Sequence, residues 1–112
     1  WQFFLSSHEF LQVAERHFAD AARLRAAYLA VDIEDRAAVE ARATALAAAG
    51  SPWRGQAREV LALAAWKAGD RTAIETRLAE IEGDPETTRD LADRSAILRA
   101  LLVGEGSSGK AK

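Results

Sequence analysis

The sequence predicts an all-α fold of about five helices, arranged as a right-handed array of two helical hairpins and a C-terminal capping helix. The segment that begins at Asp35 returns at Asp70, with Asp, Arg, Ala, a β-branched apolar residue, Glu and Arg at the same offsets. A separation of 35 residues is typical of stacked helical hairpins. Alanine, the strongest helix former, is also the most frequent residue, and the chain has only 2 Pro and 7 Gly.

The first two helices are predicted from capping residues and apolar spacing. Helix one is expected from His8 to Val31, with Ser6 or Ser7 as its N-cap. Its apolar positions recur every three or four residues, as one helical face requires. These positions are Phe10, Ala14, Phe18, Ala21 and Ala22. Helix two is expected to begin after Asp35 and to end at Gly50.

The remaining helices are predicted from turn signals. Ser51-Pro52 is expected to start helix three, with Ser as the cap and Pro in the first helical position. Gly69-Asp70 is expected to end it and to cap helix four, which stops at Gly83. Asp84-Pro85 repeats the earlier start signal for helix five.

The repeat extends to the positions predicted to be buried. At the 35-residue shift Val39 corresponds to Ile74, Ala43 to Leu78 and Leu46 to Ile81. The apolar stripe of helix two therefore recurs in helix four. This pattern is expected if each hairpin buries one face on itself and another on its neighbour.

Composition divides the chain and limits its chemistry. Residues 1–7 form an N-terminal segment, native or added, 8–103 a helical domain, and 104–112 a Gly/Ser/Lys tail predicted to be disordered. The net charge of −2 argues against nucleic-acid binding, and the absence of Cys excludes thiolate zinc sites. No apolar run approaches membrane-spanning length. Without any Met, the chain is expected to be a fragment or a processed product.

One segment resembles a tetratricopeptide (TPR) repeat. The matching residues are Leu61-Ala62, Ala65-Trp66, Gly69-Asp70, Leu78, Ile81 and Asp84-Pro85. The sequence departs from the pattern at Ile74, where the family prefers alanine, and it is one residue short before Pro85. The resemblance implies an array of helical hairpins that binds other proteins.

A second set of matches resembles bacterial TPR-like proteins that are anchored in the inner membrane and face the periplasm, similar to the ancillary subunit of the SecYEG translocon. The set comprises Ala22-Arg23-Leu24-Arg25, Ser51-Pro52-Trp53-Arg54, Ala57-Arg58-Glu59, Ala68-Gly69-Asp70 and Asp84-Pro85. The likeness covers residues 19–103. It implies a missing upstream membrane anchor, translocon or chaperone partners, and a periplasmic location. A cytoplasmic location is the alternative if no anchor exists.

The TPR resemblance also implies a partner-binding groove on the first helix of each hairpin. Its residues would be Leu24, Tyr28, Val31, Leu63, Trp66 and Lys67. Such a groove could take an apolar helix or an extended segment. The alternative is that the chain's own fifth helix or N-terminal segment covers these residues, since apolar stripes are more often core.

Other candidate sites are few. Arg54 and Arg58 lie one helical turn apart and could hold a carboxylate between them, or could be two exposed side chains. His8 and His17 are nine residues apart, which does not suit a metal site on one helix. The chain has no Asn, so the clamp with which TPR proteins bind a C-terminal carboxylate is absent.

These observations predict a non-catalytic scaffold or adaptor that binds protein segments, without cofactor or metal. The alternative is a structural self-association module, in which helix one pairs with a second copy to form a homodimer. That alternative rests on the number of repeats, because fewer than three hairpins leave an apolar face without a cover.

Overall fold

A computed structural model describes the backbone of residues 6–111 and the side chains of residues 6–106. Its helices are α1 (Ser7–Ile33), α2 (Arg36–Ala43), α3 (Arg54–Ala68), α4 (Arg71–Glu82) and α5 (Arg89–Ala111), with a short 3-10 helix at Ala45–Ala47. Residues 6–111 contain no strand. The predicted all-α fold of about five helices is confirmed. No helix in this range is long and apolar enough to cross a membrane.

Several predicted caps are present in the structure. Ser6 caps α1 by accepting from the Glu9 backbone N–H at 3.1 Å, and the Glu9 carboxylate accepts from the Ser6 N–H in return. Asp35 and Asp70 occupy the same repeat position and cap α2 and α4, at 2.9 and 3.1 Å. Gly69 ends α3 with φ 72°, a left-handed conformation that suits glycine.

Helix α2 is shorter than predicted. It ends at Ala43 instead of continuing toward Gly50, and a single 3-10 turn follows. The Thr44 hydroxyl donates to the Glu40 carbonyl at 2.6 Å, and the Thr44 carbonyl then accepts from the Ala47 N–H. The bond from Ala47 reaches back only three residues, so the regular α-helical pattern changes here to a 3-10 turn.

The predicted starts of helices three and five are wrong by several residues. Ser51 Oγ accepts from the Trp53 N–H at 3.1 Å, and Asp84 Oδ1 accepts from the Glu86 N–H at 3.0 Å. The Arg54 N–H also donates to the Ser51 carbonyl at 3.3 Å, and the Thr87 N–H donates to the Asp84 carbonyl at 3.1 Å, so each segment closes a turn before its helix begins. Helix α3 therefore begins at Arg54, two residues after Pro52, the predicted first helical residue.

Helix α5 also differs from its prediction at both ends. It begins at Arg89, where Thr88 Oγ1 accepts from the Leu91 N–H at 3.3 Å. It continues to Ala111, through residues expected to be disordered from Gly104 onward. Arg71 of α4 supports this extension by donating to the Leu102 carbonyl at 3.2 Å. The predicted N-terminal segment at 1–7 lies mostly outside the described residues.

The helices pack as two stacked hairpins. Helix α3 contacts all four other helices, α1 packs on α2, and α5 packs on α3 and α4. One core joins the first hairpin to α3. It contains Leu24, Ala27, Ala30, Val39, Ala43, Leu46, Ala57, Val60, Leu61 and Ala64. A second core joins α3, α4 and α5 through Ala65, Ile74, Leu78 and Leu102.

The sequence repeat is also a structural repeat. Val39 and Ile74 are 1 % and 3 % exposed, and both lie on the second helix of their hairpin against α3 or its neighbours. Ala43 and Leu78, the next pair, are fully buried. Small alanines on the facing helices allow this close approach. The predicted correspondence between the two hairpins is therefore confirmed by burial.

Candidate interaction surfaces

Most residues of the predicted groove are part of the packing of the chain itself. Leu24 is 7 % exposed and belongs to the first core, on which Tyr28 and Val31 also pack. Trp66 packs against the second core, and Leu63 is half-buried. The structure thus places these residues on α1 and α3 as predicted, and most of them also pack within the chain itself.

Lys67, the sixth groove residue, caps α1. Its ammonium group donates to the carbonyls of Val31 and Asp32, at 2.9 and 3.3 Å. These carbonyls lie in the last turn of α1, where the helix leaves its acceptors unpaired and a positive charge is favourable. Lys67 therefore ties α3 to the end of α1.

A polar cluster of Tyr28, Glu59 and Arg94 joins three helices. Arg94 of α5 donates two hydrogen bonds to the Glu59 carboxylate, at 2.8 and 3.0 Å, and the Tyr28 hydroxyl donates to Glu59 Oε1 at 2.5 Å. Glu59 is only 4 % exposed. Burial, together with the adjacent Glu59 carboxylate, raises the pKa of Tyr28 well above its ordinary value. This three-helix cluster closes the centre of the predicted groove.

The sequence did not reveal the three-helix cluster, although a signal was present. Glu59 and Arg94 are 35 residues apart, the period of the repeat, and the stacking of α3 on α5 brings equivalent positions together. Leu24 is the next equivalent position in the opposite direction and is a core residue. The signal in the sequence is therefore Glu59, an acidic residue at the repeat position that Leu24 occupies in the first hairpin.

Arg54 and Arg58 do hold a carboxylate, but it belongs to the same chain. Arg54 donates to both oxygens of Asp84, at 2.6 and 3.0 Å, and Arg58 donates to Asp84 Oδ2 at 3.1 Å. Hydrogen bonds from Arg54 are the main reason that the pKa of Asp84 falls to about 2. The alternative of two exposed arginines is wrong, because both side chains are largely covered. Asp84 occupies the position proposed for a partner's carboxylate.

The two histidines lie apart on α1. His8 is exposed in the first turn, and the His17 ring stacks on Trp53 with 5.0 Å between ring centroids. In the described part of the chain, no group of three or more His, Asp or Glu side chains is placed to bind a metal ion.

The exposed apolar surface is concentrated on the outer helices. Within residues 6–106, nine large apolar side chains are strongly exposed, and all lie on α1 or α5. They are Phe10, Leu11, Val13, Phe18, Leu29, Ile33, Ile97, Leu101 and Val103. Single exposed apolar residues are ordinary, but a contiguous set of them usually marks an interaction site.

Five of the α1 residues form one continuous face, which we call the α1 stripe. They are Phe18, Ala22, Ala26, Leu29 and Ile33. Their spacing of four, four, three and four places them on the side of α1 that faces away from the core. Phe18, Leu29 and Ile33 are 71 %, 66 % and 80 % exposed. The stripe thus offers large apolar side chains to solvent over more than four helical turns.

An open groove adjoins the α1 stripe. It lies between α1 and the segment formed by α2 and the short 3-10 helix, and has a volume of about 620 Å³. Its lining consists of Asp20, Ala22, Arg23, Ala26, Ala41, Arg42, Ala45 and Leu46. Because Ala22 and Ala26 belong to both features, stripe and groove form one surface with an apolar floor and charged edges.

Comparison of the chain with protein-family models, with curated proteins and with solved structures found no match. The stacked hairpins and the apolar faces that they leave exposed are the features that bear on function.

Proposed function

We propose that this chain is a non-catalytic protein-interaction module, a TPR-like scaffold or adaptor that binds other proteins. The observation that carries the proposal is the concentration of exposed large apolar side chains on α1 and α5, while α2, α3 and α4 have none among the described residues. Soluble domains seldom leave such faces in water unless they bind something.

The arrangement of the helices supports a TPR-like architecture. Helix α3 stacks on both helices of the first hairpin, and α5 meets α3 and α4 in turn. Each contact is thus between one hairpin and the next, as in an array of helical repeats. The equivalent burial of Val39 and Ile74 supports the same conclusion.

The α1 stripe is the proposed binding surface, in place of the groove predicted from the sequence. Leu24 is buried and Tyr28 is engaged by Glu59, so neither is available to a partner. Leu29 and Ile33 are available, and burying one such side chain fully contributes about 1.5–3 kcal/mol. A partner helix with an apolar face would fit the stripe and the adjoining groove.

The cellular setting is a second part of the proposal. The likeness of residues 19–103 to membrane-anchored periplasmic proteins supports partners among translocon or chaperone components. A reporter enzyme that works only in an oxidising compartment tests this when fused to the full-length protein. Activity of the fusion is the expected result, and a fusion that is made but inactive contradicts the periplasmic location.

The binding role is tested by capture from a native extract with matched charge variants. One variant carries Leu29→Asp and Ile33→Asp on the stripe. Its control carries Thr72→Asp and Thr76→Asp, two exposed positions with the same spacing on α4. We expect the parent chain and the control to retain the same proteins and the stripe variant to lose them. Equal retention by all three chains would refute the proposed surface.

A further inference from the structure

The α1 stripe has a buried counterpart inside the chain. At the 35-residue shift its members correspond to Trp53, the N-cap residue of α3, and to Ala57, Leu61, Ala64 and Ala68 of α3. Ala57, Leu61 and Ala64 are 0 %, 5 % and 4 % exposed, and all three belong to the core that joins α3 to the first hairpin. The face that α3 buries on its preceding hairpin is therefore the face that α1 leaves open.

The other outer helix exposes the opposite kind of face. Ile97 and Leu101 of α5 are 61 % and 54 % exposed. Their counterparts on α3 are Ala62, which is buried, and Trp66, which packs in the core that contains Leu102 of α5. On α3 this is the face that meets the following helix. We call Ile97, Ala100 and Leu101 the α5 face.

The helices that would meet already show how such faces pair. Contacts of α1 with α3 and of α3 with α5 link residues about one repeat apart, as in Lys67 with Asp32 and Arg94 with Glu59. The hydrogen bonds between these helices join residues 28 to 36 positions apart, and the partner advances along each helix with the residue, so α1, α3 and α5 run in the same direction with an offset near one repeat. The α1 stripe could therefore stack on an α5 face by the same geometry.

We propose that the chain associates head to tail, with the α1 stripe of one copy docked on the α5 face of a second copy. This inference rests on the proposed interaction role of the stripe and names its partner. The contact would resemble the internal interface between the first hairpin and α3, because the α1 stripe has the same repeat positions as the face that α3 buries there. Each copy would continue the array of the previous one.

Charge supports the second copy as the partner. Arg25 lies beside the stripe, while Asp90 and Asp93 lie on α5 near its exposed face. None of these three side chains forms an ion pair among the described residues, and all are exposed. Parallel stacking would bring the N-terminal part of α5 toward the basic edge of α1. Opposite charges at an interface favour this orientation over others.

The proposed contact joins two different surfaces, which gives it a distinctive test. A head-to-tail interface leaves one free face of each kind, so association is open-ended, whereas pairing of two stripes would stop at a dimer. Leu29→Glu blocks the stripe and keeps the α5 face intact. Leu101→Glu does the reverse. Both positions are exposed, and circular dichroism checks that each variant keeps its helical content.

Sedimentation velocity over a wide concentration range is the measurement. We expect the apparent mass of the parent chain to increase with concentration and to exceed twice its monomer mass of 12.1 kDa. Each variant alone should remain a monomer. A mixture of the two variants should form a 1:1 heterodimer that grows no further, because only one intact pair of faces remains. Thr72→Glu, an exposed change on α4, should associate as the parent does.

Two results would overturn the inference. A parent chain that stays monomeric at every concentration would assign the stripe to a different protein. A Leu101→Glu variant that dimerises as well as the parent would show symmetric pairing of stripes. In either case the parent chain could still capture other proteins and lose them with Leu29→Glu. That result would contradict the head-to-tail association and leave the proposed binding function intact.

Discussion

Replacement of Arg94 by methionine tests the energetic role of the three-helix cluster. The change keeps an apolar stem but removes the charge that compensates Glu59, whose side chain is 5 % exposed. Removing one partner of a buried ion pair costs about 3–5 kcal/mol. Solvent screens part of this interaction because 49 % of the Arg94 side chain is exposed, so we expect a loss of about 2–3 kcal/mol.

Urea denaturation followed by circular dichroism measures the loss, as a lower midpoint with an unchanged slope. The matched control is Arg99→Met on the same helix. Arg99 makes the same two-bond contact, at 3.2 and 2.6 Å, with Glu82, but that carboxylate is exposed. We expect the control to lose no more than about 1 kcal/mol.

A second substitution separates charge from packing. Adding Glu59→Gln to Arg94→Met removes the uncompensated charge and keeps an oxygen that can accept from Tyr28. At least half of the lost stability should return, because a neutral amide is far less costly to bury than a carboxylate. Equal losses for Arg94→Met and Arg99→Met, or no recovery in the double variant, would refute the role assigned to the cluster.

Three further predictions concern the packing that holds the hairpins together. Leu78→Ala should lower the free energy of unfolding by about 2–5 kcal/mol in thermal denaturation, because Leu78 is fully buried. The pKa of Asp84 is lowered to about 2 in the folded chain. Its contribution to stability is therefore complete above the pKa that Asp84 has in the unfolded chain, and is lost as pH falls toward 2. In Asp84→Asn this part of the loss of stability in acid should be absent. Gly55→Ala should lower the free energy of unfolding measured by urea titration, because the new Cβ would lie 2.7 Å from Cδ2 of the buried Leu91. Gly104→Ala should not lower it, because its Cβ would have no neighbour within 4 Å.

Features that depend on nearby residues could be predicted from the sequence. The caps at Ser6, Asp35, Gly69 and Asp70 involve partners a few residues away, and each occurs where the sequence indicates. The repeat also predicted which positions are buried, because equivalent residues meet equivalent surroundings. Ser51-Pro52 misled the prediction, because a serine that closes a turn and one that caps a helix have the same local sequence.

Features that depend on distant residues could not be predicted in the same way. The one-turn spacing of Arg54 and Arg58 is compatible with a carboxylate contact or with two exposed side chains, and nothing in the local sequence indicates that Asp84 fills the position between them. The contacts of the predicted groove residues depend on distant parts of the chain in the same way. The TPR pattern indicates which residues share one face of α1 or α3. The burial of Glu59 with Tyr28 and Arg94 depends instead on how closely α1, α3 and α5 approach one another, which the pattern does not give.

An exposed apolar face on α1 was predicted only in the alternative in which helix one pairs with a second copy. The spacing of apolar residues otherwise assigned Phe18 and Ala22 to the buried face of helix one, whereas both are exposed. Leu29 and Ile33 extend the apolar residues of α1 over more of its circumference than one buried face requires. In an array, a helix with two apolar faces is one that has neighbours on both sides, as α3 does.

The central claim is that one repeat position is buried in the second hairpin and open in the first. Ala22 and Ala57 are the same residue type 35 positions apart, the first exposed and the second fully buried. The direct measurement is the free energy of unfolding, at a concentration where the chain is monomeric, of Ala22→Glu and Ala57→Glu. We predict a change within about 0.5 kcal/mol for Ala22→Glu and a loss of more than about 3 kcal/mol, or failure to fold, for Ala57→Glu. Similar losses at both positions would contradict the account.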